Sequence, residues 1–137
     1  MVAIDRGDKT RAMASLRAAR PLLDAGVSLL FFAEGTRSPD GRIQALRKGA
    51  FVLAMEAGLP ILPVSISGTH RILPGKKMTL LPGHARITIH DPVETAGLGP
   101  SDLDSLMAKV HGIVASGLTP WERGETDPAQ RGETFPL

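Results

Sequence analysis

Along this chain, apolar residues fall into short blocks separated by polar turns, and the spacing within each block predicts the element it forms. Met1 to Ile4 is an apolar run that stops at Asp5 and reads as the end of a strand. Asp8 is placed to cap a helix whose Met13, Leu16, Ala19 and Leu23 share one face, shortened by Pro21 and ended by Gly26. Val27 to Phe32 is continuously apolar, as expected of a strand covered on both faces. Ala33 to Arg42 carries loop chemistry throughout. Lys48 to Ala57 returns to helical spacing through Phe51, Leu53, Ala54 and Met55, and Gly58 ends it. Ile61 to Ile66 reads as a further strand, and Lys77–Leu81 and Ala85–His90 as two shorter ones joined by Pro82-Gly83. Ser101 opens a last helix with acidic Asp102 and Asp104 in its first turn and a stripe of Leu103, Leu106, Val110 and Ile113. Strands alternating with helices imply an α/β fold, a mostly parallel sheet flanked by helices.

These elements account for one domain, residues 1–117. Leu118 to Leu137 has no periodicity and repeats Arg-Gly-Glu-Thr at 123–126 and 131–134, so it is expected to be a flexible tail. The mostly apolar stretch Gly49–Gly68 is long enough to suggest a membrane span, but Glu56, Gly58, Pro60 and Pro63 interrupt it. A buried helix, a turn and a buried strand explain it better.

Composition narrows the chemistry. With 137 residues and no cysteine, the chain has no disulfide framework, thiol nucleophile or thiolate metal site. No two of the four histidines have helical ligand spacing, so no metal is expected. One Trp, four Phe and no Tyr supply too few aromatics for a base-stacking surface, so no nucleic acid is expected as a partner. The net charge of +2 is unevenly spread: the last 20 residues are net acidic and the body is basic. A basic body suits an anionic small molecule or a phospholipid surface.

Ligands of open α/β sheets bind beyond the carboxyl ends of the strands. Two polar clusters meet that description, Asp5-Arg6 and Glu34-Gly35-Thr36-Arg37. Gly35 lets backbone approach a ligand closely, Thr36 offers a hydroxyl, and Arg37 presents a planar fork matching phosphate or carboxylate oxygens. Glu34 holds Arg37 or Arg6 in place, or accepts a bond from a substrate hydroxyl. The competing reading is a solvated turn with an Arg–Glu pair. No Gly-x-Ser-x-Gly elbow is present, and Gly68–Lys77 departs from P-loop spacing. Lys76-Lys77 either meets anionic headgroups or is a solvated charge pair.

The run Phe32-Ala33-Glu34-Gly35-Thr36-Arg37-Ser38 resembles the Phe-Pro-Glu-Gly-Thr-Arg-Ser block of the phospholipid/glycerol acyltransferase family, with Ala33 in place of Pro. Val2-Ala3-Ile4-Asp5-Arg6 is similar to the block before it, and Lys48-Gly49-Ala50-Phe51 and Leu59–Val64 to the blocks after it. Gly68-Thr69 with Arg71–Pro74 is similar to the family's next loop. The resemblance covers about residues 2 to 115, and within the family it is nearest to the 1-acylglycerol-3-phosphate acyltransferases. It implies a glycerolipid acyltransferase-like fold. The activity implied is acyl transfer from acyl-CoA or acyl-carrier protein, with no other cofactor, to a lysophosphatidate hydroxyl. Arg37, within the loop Glu34-Gly35-Thr36-Arg37, is implied to bind the acceptor phosphate and Arg6 to support that pocket, with Leu59–Val64 as a wall. Peripheral attachment to the cytoplasmic, inner face of a cell membrane is implied as well.

The family carries His, four residues, then Asp upstream of the Val2–Arg6 block, and only Met1 precedes that block here. The fifth residues after His70, His84, His90 and His111 are Gly75, Ile89, Thr95 and Ser116, none of them acidic. A glycerol hydroxyl attacking a thioester needs a general base, and losing one forfeits roughly 10² to 10⁴ in rate. The expectation is therefore an N-terminally truncated member whose catalytic His and Asp lie upstream, with no catalytic residue assigned within the chain. A non-catalytic lysophospholipid-binding module or inactive fragment is the alternative. Of the histidines, His70 lies nearest the expected pocket, while His84 and His90 are expected at the surface and His111 at the solvated edge of the last helix.

Overall fold

A computed structural model describes Ala18 and residues 20–74 and 80–125. In chain order its elements are α1 (Arg20–Asp24), α2 (Lys48–Ala57), β1 (Val64–Ser67), α3 (Thr69–Ile72), β2 (Arg86–Ile89), a 3-10 turn (Pro100–Asp102) and α4 (Leu103–Ser116). The segments expected as strand 1–4 and as the start of the first helix, together with Arg6, Lys76 and Lys77, lie outside the described residues.

The core forms where α2 meets α4. Phe51 of α2 packs with Leu106 and Val110 of α4 and with Val93, each nearly inaccessible to solvent. Leu103 and Ile113 close the cluster from the same stripe, so the periodicity of the last helix reads directly onto its buried face. Gly58 ends α2 with a pair of bonds that satisfies its last carbonyls: Gly58 N–H donates to Met55 O and Leu59 N–H to Ala54 O. Ahead of α4, the Asp102 carboxylate accepts from Gly99 N–H at 2.8 Å, anchoring the 3-10 turn.

Among the described residues the sheet has two strands, and they run antiparallel, with Val64 opposite Ile89 and Ser67 opposite Arg86. Three expectations change here. The strand foreseen over Ile61–Ile66 is displaced to Val64–Ser67, because Pro63 has no N–H to give a ladder; Ile61 makes only an isolated bridge to Val93. Residues 80–85 form no strand, and β2 takes β1 as its partner in place of a hairpin around Pro82-Gly83. Val27–Phe32 is not a ladder strand in this structure, and Leu30 and Phe32 are 80% and 74% exposed. A strand needs a neighbour, and the segment expected to pair with it, residues 1–4, lies outside the described region.

The sheet is inverted relative to ordinary amphipathic patterning. Ser65 and Ser67 are the buried side of β1, while Ile66, Ile87 and Ile89 stand exposed on the opposite side. Burying serine requires partners, and Ser65 has them: its hydroxyl donates to Val114 O of α4 at 2.6 Å and lies 2.7 Å from His90 Nε2. One hydroxyl has one hydrogen, so with Val114 O accepting it, His90 Nε2–H is the donor to Ser65.

Residues 118–125, expected to begin a flexible tail, instead pack onto the end of β1. Leu118 N–H donates to Ala115 O at the end of α4, Arg123 N–H donates to Thr119 O within the segment, and Glu122 is only 5% exposed. The cause is Glu122 itself, whose carboxylate finds four donors there. Residues 126–137, the rest of the expected tail, lie outside the described residues.

Candidate functional site

The polar loop after Phe32 is closed at its neck by Arg47 N–H donating to Ala33 O at 2.7 Å. Inside the neck, Gln44 N–H donates to Glu34 Oε2 at 2.9 Å. Glu34 therefore binds its own loop, and among the described residues Arg37 makes no bond to it. Gly35 turns the chain at φ 76, a conformation open to glycine, with the Arg47 side chain filling the space where a Cβ would project. Thr36 and Arg37 follow it at the exposed tip, and Arg37 makes no hydrogen bond or ion pair with a described residue. At the far side of the loop Asp40 accepts from Ser38 Oγ at 2.9 Å and Arg42 N–H at 3.1 Å. The Arg42 N–H, then the Ser38 hydroxyl, hold its carboxyl below its ordinary pKa. Glu34, Gly35, Thr36 and Arg37 thus share one loop with a fixed neck and an exposed guanidinium, while Arg6 lies outside the described residues.

A second set of residues, missed in the sequence, anchors this loop. Gly41 sits at φ 79, and a Cβ there would lie 2.6 Å from both the His70 ring and the Trp121 ring. Those rings pack against each other at 5.7 Å between centroids. Two residues on, Ile43 N–H donates to Glu122 O at 2.8 Å. The loop is therefore pinned against α3 and residues 121–122. His70, foreseen near the pocket, supports the loop from behind.

Glu122 is the centre of that anchor. Its Oε2 accepts from Ser67 Oγ at 2.6 Å and from Thr119 N–H and Oγ1–H, each at 2.9 Å, and its Oε1 accepts from Gly68 N–H at 2.8 Å. Burial raises its pKa, but the four donors outweigh burial, and the net effect is a carboxyl held below its ordinary value. The signal was present in the sequence: Thr119-x-x-Glu122 has capping-box spacing, and it sits beside the only tryptophan of the chain. His90, expected at the surface, is half-buried against Ser65 and Gly117, and is structural.

Beside the anchor lies an open cavity of about 520 Å³, lined among others by Arg71, His84, Arg86, Ile87, Trp121 and Glu122. Arg37 and Glu34 are not among its lining residues. Among the described residues, no group of three acidic or histidine side chains is placed to hold a metal, and no helix is long and apolar enough to cross a membrane.

Comparison with known proteins converges on one family. Residues 1–67 match the family model described as Acyltransferase. A chloroplast 1-acyl-sn-glycerol-3-phosphate acyltransferase of Brassica napus is 38% identical over 94 residues, which are 68% of this chain and 27% of that protein. A 1-acyl-sn-glycerol-3-phosphate acyltransferase of Chlamydomonas reinhardtii is 37% identical over 121 residues, 87% of this chain and 35% of that one. In structure, the chain is similar to the 1-acyl-sn-glycerophosphate (LPA) acyltransferase PlsC from Thermotoga maritima. The TM-score is 0.70 at 38% identity, covering 78% of this chain and 44% of that one. The chain spans less than half the length of each of these relatives.

Proposed function

We propose, from the premise that this chain belongs to the acyltransferase family, that the whole protein makes phosphatidate by acylating 1-acylglycerol-3-phosphate. The acyl donor is acyl-CoA or acyl-carrier protein. The acceptor hydroxyl attacks the thioester carbonyl, an ester C–O bond forms, the C–S bond breaks, and the hydroxyl proton passes through a base to the departing thiolate. The thioester supplies the driving force, so no cofactor beyond the donor is assigned.

The observation that carries this reading is the exposed guanidinium of Arg37 on a loop whose neck is fixed by Ala33, Glu34, Gln44 and Arg47. Binding a phosphate needs a free fork held on a rigid mount, and charge-assisted bonds of this kind are strong. In this reading Arg37 grips the acceptor phosphate, Glu34 shapes the loop, Gly35 turns the chain so that backbone lies close to the ligand, Thr36 presents its hydroxyl, and Arg6 joins them. The exposed apolar residues Leu30, Phe32, Leu62, Ile66, Ile87 and Ile89 suit a peripheral protein working at the inner face of a membrane.

A second reading has its own observation: none of the four histidines is followed at the fifth position by an acid. By itself this chain is then a lysophospholipid-binding module. Both readings are tested with the 137-residue chain and vesicles containing lysophosphatidate, with added acyl-CoA. Binding that Arg37→Ala weakens at least tenfold supports the phosphate loop, and binding unaffected by that substitution overturns it. Acyl-CoA-dependent phosphatidate formation by this chain would refute the module reading.

A further inference from the structure

An acyl transfer of this kind brings together two anionic substrates, because the acceptor carries a phosphate and the donor's phosphopantetheine arm carries another. They need two separate anion sites within reach of one reaction point. The Arg37 loop accounts for one of them.

We propose that the cavity between α3, β2 and residues 119–122 is the second, and that it receives the phosphate-bearing end of the acyl donor. This inference rests on the acyl-transfer reading. At about 520 Å³ the cavity has the size of a small-molecule site. Arg71, Arg86 and His84 bring two guanidiniums and an imidazole to its lining. Arg86 and His84 are exposed and make no side-chain hydrogen bond or ion pair with a described residue, so their donors remain available. The one carboxylate of the lining, Glu122, turns its oxygens onto Ser67, Gly68 and Thr119, and its single charge leaves the two guanidiniums in excess. Ile87 and Trp121 add apolar wall suited to the aliphatic arm.

Its position fits the same role. Trp121 lines the cavity and, through its contact with His70 and Gly41, also braces the loop that ends in Arg37. The cavity wall and the brace of the Arg37 loop therefore share one side chain, Trp121. An arm phosphate held by Arg86 and Arg71 leaves the thioester end free to extend toward an acceptor held at the loop.

Trp121 is the only tryptophan of the chain, so its fluorescence reads this cavity directly. The full chain is titrated with coenzyme A, with pantetheine 4′-phosphate, and with glycerol 3-phosphate as an acceptor mimic. Both donor probes are expected to change the emission, and Arg86→Ala to weaken them roughly tenfold or more, the loss of one charge-assisted contact. Arg86→Lys should recover part of that loss, and Arg37→Ala should leave donor binding unchanged. Equal affinity for the two donor probes locates the arm phosphate common to coenzyme A and carrier protein; tighter coenzyme A locates the nucleotide phosphates. Either result supports a donor site. Unchanged donor affinity in Arg86→Ala, with far-UV circular dichroism showing a folded variant, overturns the proposal. So does competition by glycerol 3-phosphate together with loss of donor binding in Arg37→Ala, which would place both anions at the loop. Failure of glycerol 3-phosphate to bind, with donor binding intact, counts against the acceptor loop alone.

Discussion

Replacing Glu122 with alanine should release residues 118–125 from β1 and destabilise the whole chain. The carboxylate accepts from two hydroxyls and two backbone N–H groups. The hydroxyls of Ser67 and Thr119 can rotate to other acceptors, but the N–H groups of Gly68 and Thr119 cannot. Each stranded buried donor costs about 1–3 kcal/mol, so two give roughly 2–6 kcal/mol, with water entering the vacated space drawing the value to the lower half. That is a large share of a domain stability of about 5–15 kcal/mol. Glu122→Gln keeps the shape and turns one acceptor atom into a donor, so its cost should be smaller, about 1–3 kcal/mol. The assay is urea unfolding followed by Trp121 fluorescence and far-UV circular dichroism together. Fluorescence should shift at lower urea than dichroism if the segment releases before the α2–α4 core does. The same carboxyl sets a pH dependence. Its folded pKa is below its ordinary value, so its stabilising contribution is complete above about pH 4.3 and is lost as pH falls through the depressed folded value. Wild type should lose stability over that acid range and Glu122→Gln should lose less of it. An alanine variant within about 0.5 kcal/mol of wild type, the range of ordinary surface changes, would show that the anchor is decorative and the reasoning wrong.

Three further outcomes follow from particular contacts. Gly41→Ala puts a Cβ 2.6 Å from the His70 and Trp121 rings at φ 79, so it should lower the melting temperature and shift Trp121 emission. It should also weaken phosphate binding at the Arg37 loop if that loop is positioned from behind. Ser65→Ala leaves His90 Nε2–H without its partner, while Val114 O keeps the Gly117 N–H, and chemical denaturation should show a loss of about 1–3 kcal/mol. Lys48→Ala breaks a 3.1 Å pair with Asp104 whose side chains are 65% and 85% exposed; the same measurement should find a change of at most about 1 kcal/mol.

What the sequence made legible was local. The helix over Lys48–Ala57 and the stripe of α4 declare themselves because helical periodicity is a property of neighbouring residues. Strand pairing is not local: β2 joins β1 across the 18 residues between Ser67 and Arg86, and nothing in Arg86–Ile89 names its partner. The inverted sheet escaped for a related reason, since Ser65 and Ser67 are buried by partners from distant segments, Val114 and Glu122. Among the site residues, the loop Glu34–Arg37 was readable from its chemistry, but the engagement of Glu34 with Gln44 was not, being a matter of how the loop closes. The anchor at Trp121–Glu122 was hidden in a stretch without periodicity, where polar composition suggested a chain with nothing to pack against.

That misreading has a physical lesson about where the loop obtains its order. A loop of this length would ordinarily sample many conformations, and ordering each residue costs about 1–2 kcal/mol in backbone entropy. Bonds within the loop fix its neck, from Ala33 and Glu34 to Gln44 and Arg47, and the turn around Asp40. The remaining constraint comes from outside, through Gly41 on the two rings and Ile43 on the Glu122 carbonyl. Because Trp121 also lines the neighbouring cavity, filling that cavity and ordering the loop draw on the same side chain. Two anions bound on either side of it should then favour each other. Glycerol 3-phosphate should bind more tightly in the presence of coenzyme A, and coenzyme A by the same factor in the presence of glycerol 3-phosphate, as linkage requires. Isothermal titration in both orders checks the equality, and independent binding would show that the aromatic pair separates the two sites without coupling them.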